Sequence, residues 1–266
     1  MHTATSRDGT KIAYDRTGDG PALVLVAGAF GYRKFPGLVE LAGLLAERFT
    51  VYNYDRRGRG DSGDTAPYSP EREIEDLQAV IDAAGGSAGV WGLSSGAVLA
   101  LKAAAHGAGI TKLALYEPPF VTDASGKVPP ADFTEHLRTL IGDDRRAEAV
   151  RYFMTRGMGA PWFVLPIMRA MGQVWRRLLG LAHTLPYDAE LLDGLNTGKP
   201  LRAGDWAPVT SPVLVLDGAK SPAPLRKAAK DLAAVLPGAK HQTLQSRKNT
   251  VPMTVLAPVL IDYFAG

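Results

Sequence analysis

The residues with the clearest chemical potential lie in one stretch, Gly92-Leu93-Ser94-Ser95-Gly96, which fits the pattern G-x-S-x-G. A β-like apolar run precedes it and an alanine-rich helical pattern, residues 97–106, follows. This order predicts a sharp strand-to-helix turn that exposes the serine hydroxyl, because the flanking glycines avoid a collision between a Cβ and the crowded backbone. We therefore predict that Ser94 is a nucleophile, and we weigh this against a loop serine that only caps a helix.

The elements around this turn alternate between strand-like and helix-like patterns. Residues 22–26 are a continuous apolar run, typical of a strand buried on both faces, and helical spacing follows at 37–48 and 71–84. Another strand of the sheet is predicted at residues 211–218. This alternation predicts the α/β class, with a mostly parallel sheet flanked by helices and ligands bound beyond the carboxyl ends of the strands. The first strand is expected at residues 10–15, with His2 in an N-terminal tail.

The alternation of strand and helix patterns stops between residues 122 and 206, where only amphipathic helical patterns occur. We predict a core formed by residues 1–121 and 207–266, with residues 122–206 inserted as a helical cap. The cap carries many large apolar side chains. Four of its residues are predicted to bind substrate: Trp162, Met168, Trp175 and His183.

Composition narrows the possible functions. The chain has 266 residues, is 46% apolar and contains no cysteine, so disulfides and cysteine-based metal sites are excluded. Its net charge of +3 comes from scattered basic residues, which does not favour nucleic-acid binding. There is no signal-peptide pattern and no membrane-length apolar run. We expect a cytoplasmic protein that acts on a small molecule without a metal or other cofactor.

These pieces together resemble the α/β-hydrolase superfamily, over nearly the whole chain. The resemblance rests on the glycine-rich loop at residues 27–31, on YDRRGRGDS, GLSSGA, YEPP and PVLVLDG. It implies the α/β-hydrolase fold, with Ser94 as nucleophile and an oxyanion hole formed by the backbone N–H of Ser95 and that of Ala29 or Phe30. It also implies that DRRGRGDS is a structural turn, in which we expect Asp55 and Arg56 to pair with each other.

The sequence leaves two candidates for the acidic residue of the implied catalytic triad. The family often places an aspartate three residues after the glycine that follows the seventh strand, but this chain has Ser221 there. Glu117, which ends the sixth strand, and Asp217, which ends the seventh, are the two candidates. Glu117 is slightly preferred, because some relatives such as haloalkane dehalogenases place the acid at that location.

The base is where this chain departs from the family. The resemblance implies a histidine in the loop after the last strand, but residues 245–251 contain none, and Asn249 occupies the corresponding position. An asparagine forms hydrogen bonds but cannot accept a proton near neutral pH, so we predict an incomplete triad. His183 and Lys248 remain as alternative bases.

The sequence therefore predicts an enzyme for a small, largely apolar carbonyl compound such as an ester, a lactone or a polyketide-like molecule. Without its histidine, hydrolysis is expected to be weak or replaced by cyclisation, isomerisation or elimination. The alternative is a catalytically inactive ligand-binding or regulatory protein on the same fold.

Overall fold

The computed structural model describes residues 1–161, 163–246 and 250–266. One eight-stranded sheet runs through this part of the chain, in the order β1-β2-β4-β3-β5-β6-β7-β8. Its strands are β1 His2–Thr5, β2 Lys11–Thr17, β3 Ala22–Val26, β4 Thr50–Tyr54, β5 Ala88–Leu93, β6 Ile110–Tyr116, β7 Val213–Gly218 and β8 Lys240–Leu244. The pairs β1–β2 and β2–β4 are antiparallel and all other neighbours are parallel, which confirms the predicted fold class.

Helices cover both faces of the sheet. They are α1 Pro36–Leu45, α2 Pro70–Ala83, α3 Ser95–Ala105, α4 Phe133–Gly142, α5 Arg146–Tyr152, α6 Val164–Ala170, α7 Gly172–Leu181, α8 Leu185–Leu191, α9 Ala223–Val235 and α10 Met253–Ala265. One apolar cluster joins the sheet to α2, α3 and α9, and a second joins it to α1 and α10. The run 22–26 is apolar throughout because alternate side chains enter these two clusters.

The first strand differs from the prediction. Residues 2–5 are not a tail but form β1, which pairs antiparallel with β2. Their sequence gives little signal because only Ala4 of the four residues is buried, so backbone pairing and not an apolar pattern defines the strand.

Between β6 and β7 the regular elements of the described residues are all helical: α4 to α8, a π-helical turn at Phe153–Gly157, and 3₁₀ turns at Ala182–Thr184 and Ala203–Trp206. Most of the buried apolar residues from Phe133 to Ala189 form a third cluster of their own. None of the helices in the described ranges is long and apolar enough to span a membrane.

Candidate active site

Ser94 occupies a strained turn between β5 and α3. Its φ of +54° and ψ of −124° lie in a region that side chains other than glycine rarely adopt. The crowding predicted around it is present. A Cβ on Gly92 would lie 2.6 Å from the Cα of Ala97, and one on Gly96 would lie 2.4 Å from the carbonyl oxygens of Val26 and Ala27.

Ser94 lines a cavity of about 1010 Å³ at the carboxyl ends of the parallel strands. Residues from the sheet side form one wall, and residues from the helices between β6 and β7 form the other. The lining includes Gly28, Ala29, Leu93, Ser95, Glu117 and Leu225 on the first side, and Phe133, Phe153, Ala189 and Leu192 on the second. Apolar side chains predominate in the lining, which also includes the hydroxyl of Ser94 and the charged side chains of Glu117, Lys127 and Asp193. Such a lining suits a small, largely apolar ligand with a polar reacting group.

The predicted oxyanion donors flank Ser94 on two separate segments. Ala29 lies in the loop after β3, Ser95 begins α3, and both line the cavity. The two segments are in close contact, because a Cβ on Gly28 would lie 3.0 Å from the Cβ of Ser94. Phe30, the alternative donor, is outside the cavity lining and packs edge-on against Phe153, with ring centroids 5.8 Å apart.

Glu117 is brought to the same cavity by the end of β6. The N–H of Ser94 donates to the carbonyl of Tyr116 at 2.9 Å, and the N–H of Glu117 donates to Leu216 at 2.9 Å. The carboxylate Oε1 accepts hydrogen bonds from the N–H of Gly218, at 3.1 Å, and from the hydroxyl of Ser221. Glu117 therefore contacts Ser221, which occupies the position after the seventh strand where the family often has an aspartate.

Asp217 lies elsewhere. It is fully buried, and its Oδ2 is 2.6 Å from Nε2 of His241 on the neighbouring strand β8. Asp217 alternates in β7 with Leu214 and Leu216, which pack toward α10, so its side chain is on the opposite face, toward α9. Asp217 does not line the cavity, and the geometry favours Glu117 of the two acid candidates.

All five histidines lie in the described part of the chain, and none of them lines the cavity. His183 is in a 3₁₀ turn, with Nε2 3.9 Å from a carboxylate oxygen of Asp64. His106 contacts the carbonyl of Lys102 at 2.8 Å, and the other three contact Tyr14, Tyr152 and Asp217. No described imidazole therefore stands in the cavity beside Ser94.

Of the other predicted substrate contacts, Met168 and Trp175 pack on the apolar cluster of the helical region and do not line the cavity. Arg169 covers the ring of Trp175, with Cζ 5.1 Å from its centroid. Trp162, Lys248 and Asn249 lie outside the described residues.

The predicted pairing in DRRGRGDS is wrong. Asp55 accepts hydrogen bonds from the backbone N–H of Arg33, at 2.7 Å, and from its guanidinium. Arg56 instead holds Glu73 with two hydrogen bonds, of 2.6 and 2.7 Å, and Asp188 with one of 2.8 Å. Consecutive residues leaving a strand project in opposite directions, so these two side chains meet different partners.

Sequence reasoning missed Asp188, which is fully buried on α8 and contacts Ser95, Arg56 and Arg59. The only available signal was weak: Asp188 is the first carboxylate after Glu148, in a stretch that contains five arginines. A buried carboxylate requires cationic partners, and those of Asp188 are not these arginines but Arg56 and Arg59, far away in the sequence.

Comparison with known proteins agrees with this architecture. The alpha/beta hydrolase family pattern matches residues 23–249. An alpha/beta hydrolase from Sphaerobacter thermophilus DSM 20745 is 48% identical, with a TM-score of 0.91 over 99% of this chain and 100% of that one. An esterase from Rhodococcus sp. ECU1013 is 19% identical, with a TM-score of 0.69 over 100% and 98% of the two chains. The enol-lactonase from Burkholderia xenovorans LB400 is 22% identical, with a TM-score of 0.66 over the whole of both chains.

The two more distant structures share the fold, and the family match and the Sphaerobacter relative extend over most of the sequence. Members of the alpha/beta hydrolase family are generally enzymes. The chain belongs to the alpha/beta hydrolase family.

Proposed function

We propose that this protein is an enzyme that binds a small, largely apolar ester, lactone or polyketide-like carbonyl compound against Ser94, and that it hydrolyses such compounds weakly or carries out a non-hydrolytic step. The observation that carries the proposal is the position of Ser94 on a strained turn in a cavity lined by none of the five histidines. The helical residues 122–206 act in this proposal as a cap over the core formed by residues 1–121 and 207–266.

In the proposed mechanism the carbonyl oxygen of the substrate accepts hydrogen bonds from the backbone N–H groups of Ala29 and Ser95. Among the described residues, neither N–H donates to another protein group, so both are available to a ligand. Such donors stabilise negative charge that develops on the oxygen during cyclisation, isomerisation, elimination or acyl transfer.

Hydrolysis requires an additional group. The Ser94 hydroxyl must lose its proton as its oxygen attacks the carbonyl carbon, and the same proton must reach the leaving oxygen. Glu117 is the proposed acid of the site, and Asn249 is proposed at the position of the proton-accepting histidine. This assignment is supported by the position of Val251, two residues after Asn249 in the sequence. Its side chain packs closely on Gly218, where an added Cβ would lie 3.0 Å from it, and the N–H of Gly218 donates to Glu117.

The decisive experiment compares the natural protein with Asn249→His. We expect slow hydrolysis of para-nitrophenyl esters and slow fluorophosphonate labelling of Ser94 in the natural protein. A histidine supplies general-base catalysis, which contributes about 100- to 10,000-fold, so we expect hydrolysis to rise by about 100-fold or more in Asn249→His. Asn249→Gln, which keeps an amide, is the matched control and remains slow.

Two other outcomes would change the proposal. Rapid hydrolysis and rapid labelling of the natural protein would overturn the non-hydrolytic version and require a different base. The second candidate function, a ligand-binding or regulatory protein, is favoured by the absence of any histidine from the cavity lining. Tight ligand binding without product in both the natural protein and Asn249→His would support it.

A further inference from the structure

A buried carboxylate on α8 joins the two segments that carry the proposed oxyanion donors. Asp188 is fully buried. Its Oδ1 accepts a hydrogen bond from the hydroxyl of Ser95 at 2.7 Å and another from Nη1 of Arg56 at 2.8 Å, and its Oδ2 accepts one from Nη2 of Arg59 at 2.7 Å. The first of these bonds reaches Ser95, which lines the cavity and supplies one of the two proposed donors.

The two arginines extend the contact to the other donor segment. Arg56 donates from Nη1 to the carbonyl of Ala27 at 3.2 Å, and Arg59 donates from Nη1 to the carbonyl of Gly28 at 3.1 Å. These carbonyls belong to the two residues that immediately precede Ala29. One carboxylate is therefore connected, through a single hydroxyl and two guanidinium groups, to both sides of the proposed oxyanion hole.

Charge balance keeps this arrangement fixed. Burial by itself would raise the pKa of Asp188, but Arg59 and Arg56 outweigh it and lower the pKa below its ordinary value, so the carboxylate stays ionised. Arg56 is itself held by Glu73 on α2, so it cannot follow a displaced Asp188 freely. Geometry of this kind matters because oxyanion donors act only when they are held at hydrogen-bond distance from the developing charge.

We propose that Asp188 is a positioning residue for the oxyanion hole, and that it fixes the backbone N–H groups of Ala29 and Ser95 relative to each other. Because Asp188 lies on α8, in the proposed cap, the position of that helix is coupled to the donor geometry. This inference rests on the proposed function, which supplies the ligand oxygen that the two donors bind.

The test compares two ligands of equal chain length. In alkaline buffer, hydroxide adds to the boron of hexylboronic acid and gives a tetrahedral anion without a base from the protein. This anion resembles the charged intermediate, whereas 1-hexanol fills only the apolar cavity. Calorimetry gives the ratio of their dissociation constants. In Asp188→Asn we expect the preference for the boronate to fall by about 10- to 100-fold, because an amide places a donor against an arginine or against Ser95.

Two further variants distinguish an effect on the donor positions from a general loss of stability. Ser95→Ala removes only the hydroxyl that binds Asp188, and we expect the preference for the boronate to fall by about 3- to 10-fold. Asp76→Asn weakens a comparable buried pair, since Asp76 binds Arg57 with hydrogen bonds of 2.7 and 2.8 Å away from the cavity lining. Asp76→Asn is expected to lower stability without changing the preference.

The outcomes separate the two proposals. If the natural protein shows no preference for the boronate, both the oxyanion hole and the positioning role are overturned. If the natural protein shows the preference and Ser95→Ala and any folded Asp188→Asn retain it, only the role of Asp188 is overturned. A loss of equal size in Asp76→Asn would also overturn it, because the effect would then follow from general destabilisation.

Discussion

At the scale of single residues, the turn at Ser94 depends on glycines, because a side chain at these positions would collide with the backbone. The carbonyls of Val26 and Ala27 approach Gly96 so closely that a Cβ would lie 2.4 Å from both oxygens. Both atoms belong to the backbone of β3 and the loop after it, which cannot move without displacing the proposed donor Ala29. Only glycine therefore fits at this position, and the surrounding packing maintains the strained backbone conformation of Ser94.

We predict that Gly96→Ala lowers the free energy of unfolding by about 1–3 kcal/mol, since the added methyl overfills a rigid backbone contact. Urea unfolding measures the change. Gly43→Ala is the control: Gly43 is an exposed residue inside α1 with no atom within 4 Å of an added Cβ. Removing a helical glycine there should stabilise by about 0.5–1 kcal/mol. Equal effects at the two sites would contradict the crowding argument.

At the scale of secondary-structure elements, charged side chains join segments that are far apart in sequence. Arg57, which follows β4, binds Asp76 on α2 and also Asp8 in the turn between β1 and β2, with a distance of 3.1 Å to Asp8. Burial raises the pKa of Asp8, but hydrogen bonds from Thr10 and Arg57 outweigh it and lower the pKa from 3.8 to about 2. The ionised form is thus favoured in the folded protein.

This shift sets the sign of a pH effect. The pKa of Asp8 is lower in the folded than in the unfolded chain, so its contribution to stability is present above 3.8 and is lost as the pH falls toward about 2. We predict that Asp8→Asn lowers stability at neutral pH and flattens its decline over this acid range. Thermal unfolding as a function of pH measures both effects. Asp19→Asn, at an exposed turn, should leave the profile unchanged; an unchanged profile in Asp8→Asn would refute the prediction.

At the scale of the whole molecule, the cavity takes its walls from both the sheet side and the helices between β6 and β7. Its volume of about 1010 Å³ greatly exceeds what an acetyl ester would fill. Val128, in the segment leading to α4, lines it and is 44% exposed. The volume and the apolar part of the lining therefore predict a preference for extended acyl or alkyl groups.

We predict that Val128→Trp reduces affinity for long alkyl chains by about tenfold relative to short ones, because lost methylene contacts in an apolar pocket cost about 1–3 kcal/mol each. Calorimetry with alkyl trifluoromethyl ketones of increasing length measures this ratio. Val39→Trp is the matched control, because Val39 is 54% exposed on α1 and does not line the cavity. A ratio unchanged in Val128→Trp, or equally changed in Val39→Trp, would count against the proposed binding site.

Several features of the site could be predicted from sequence because they are local. The glycines around Ser94, the position of Ala29 after β3 and the position of Glu117 after β6 each follow from a short motif beside a buried strand. The partners of these residues could not be predicted in the same way. The expected pair between Asp55 and its neighbour Arg56 does not form, and Asp55 binds Arg33, because the direction in which a side chain projects, and not adjacency in sequence, selects its partner.

By itself the sequence determined the α/β class, the strand-to-helix turn at Ser94, the helical region between β6 and β7, and the lack of a histidine in residues 245–251. Apolar periodicity and backbone sterics act over a few residues, so they can be read along the chain. Only the tertiary structure decided that Glu117 meets Ser221, that Asp217 turns away toward His241, and that Asp188 joins Ser95 to the loop before Ala29. Buried polar groups must be hydrogen-bonded, and the packed fold supplies their partners from residues far away in the sequence. Contacts between such distant residues leave no local sequence pattern from which they could be predicted.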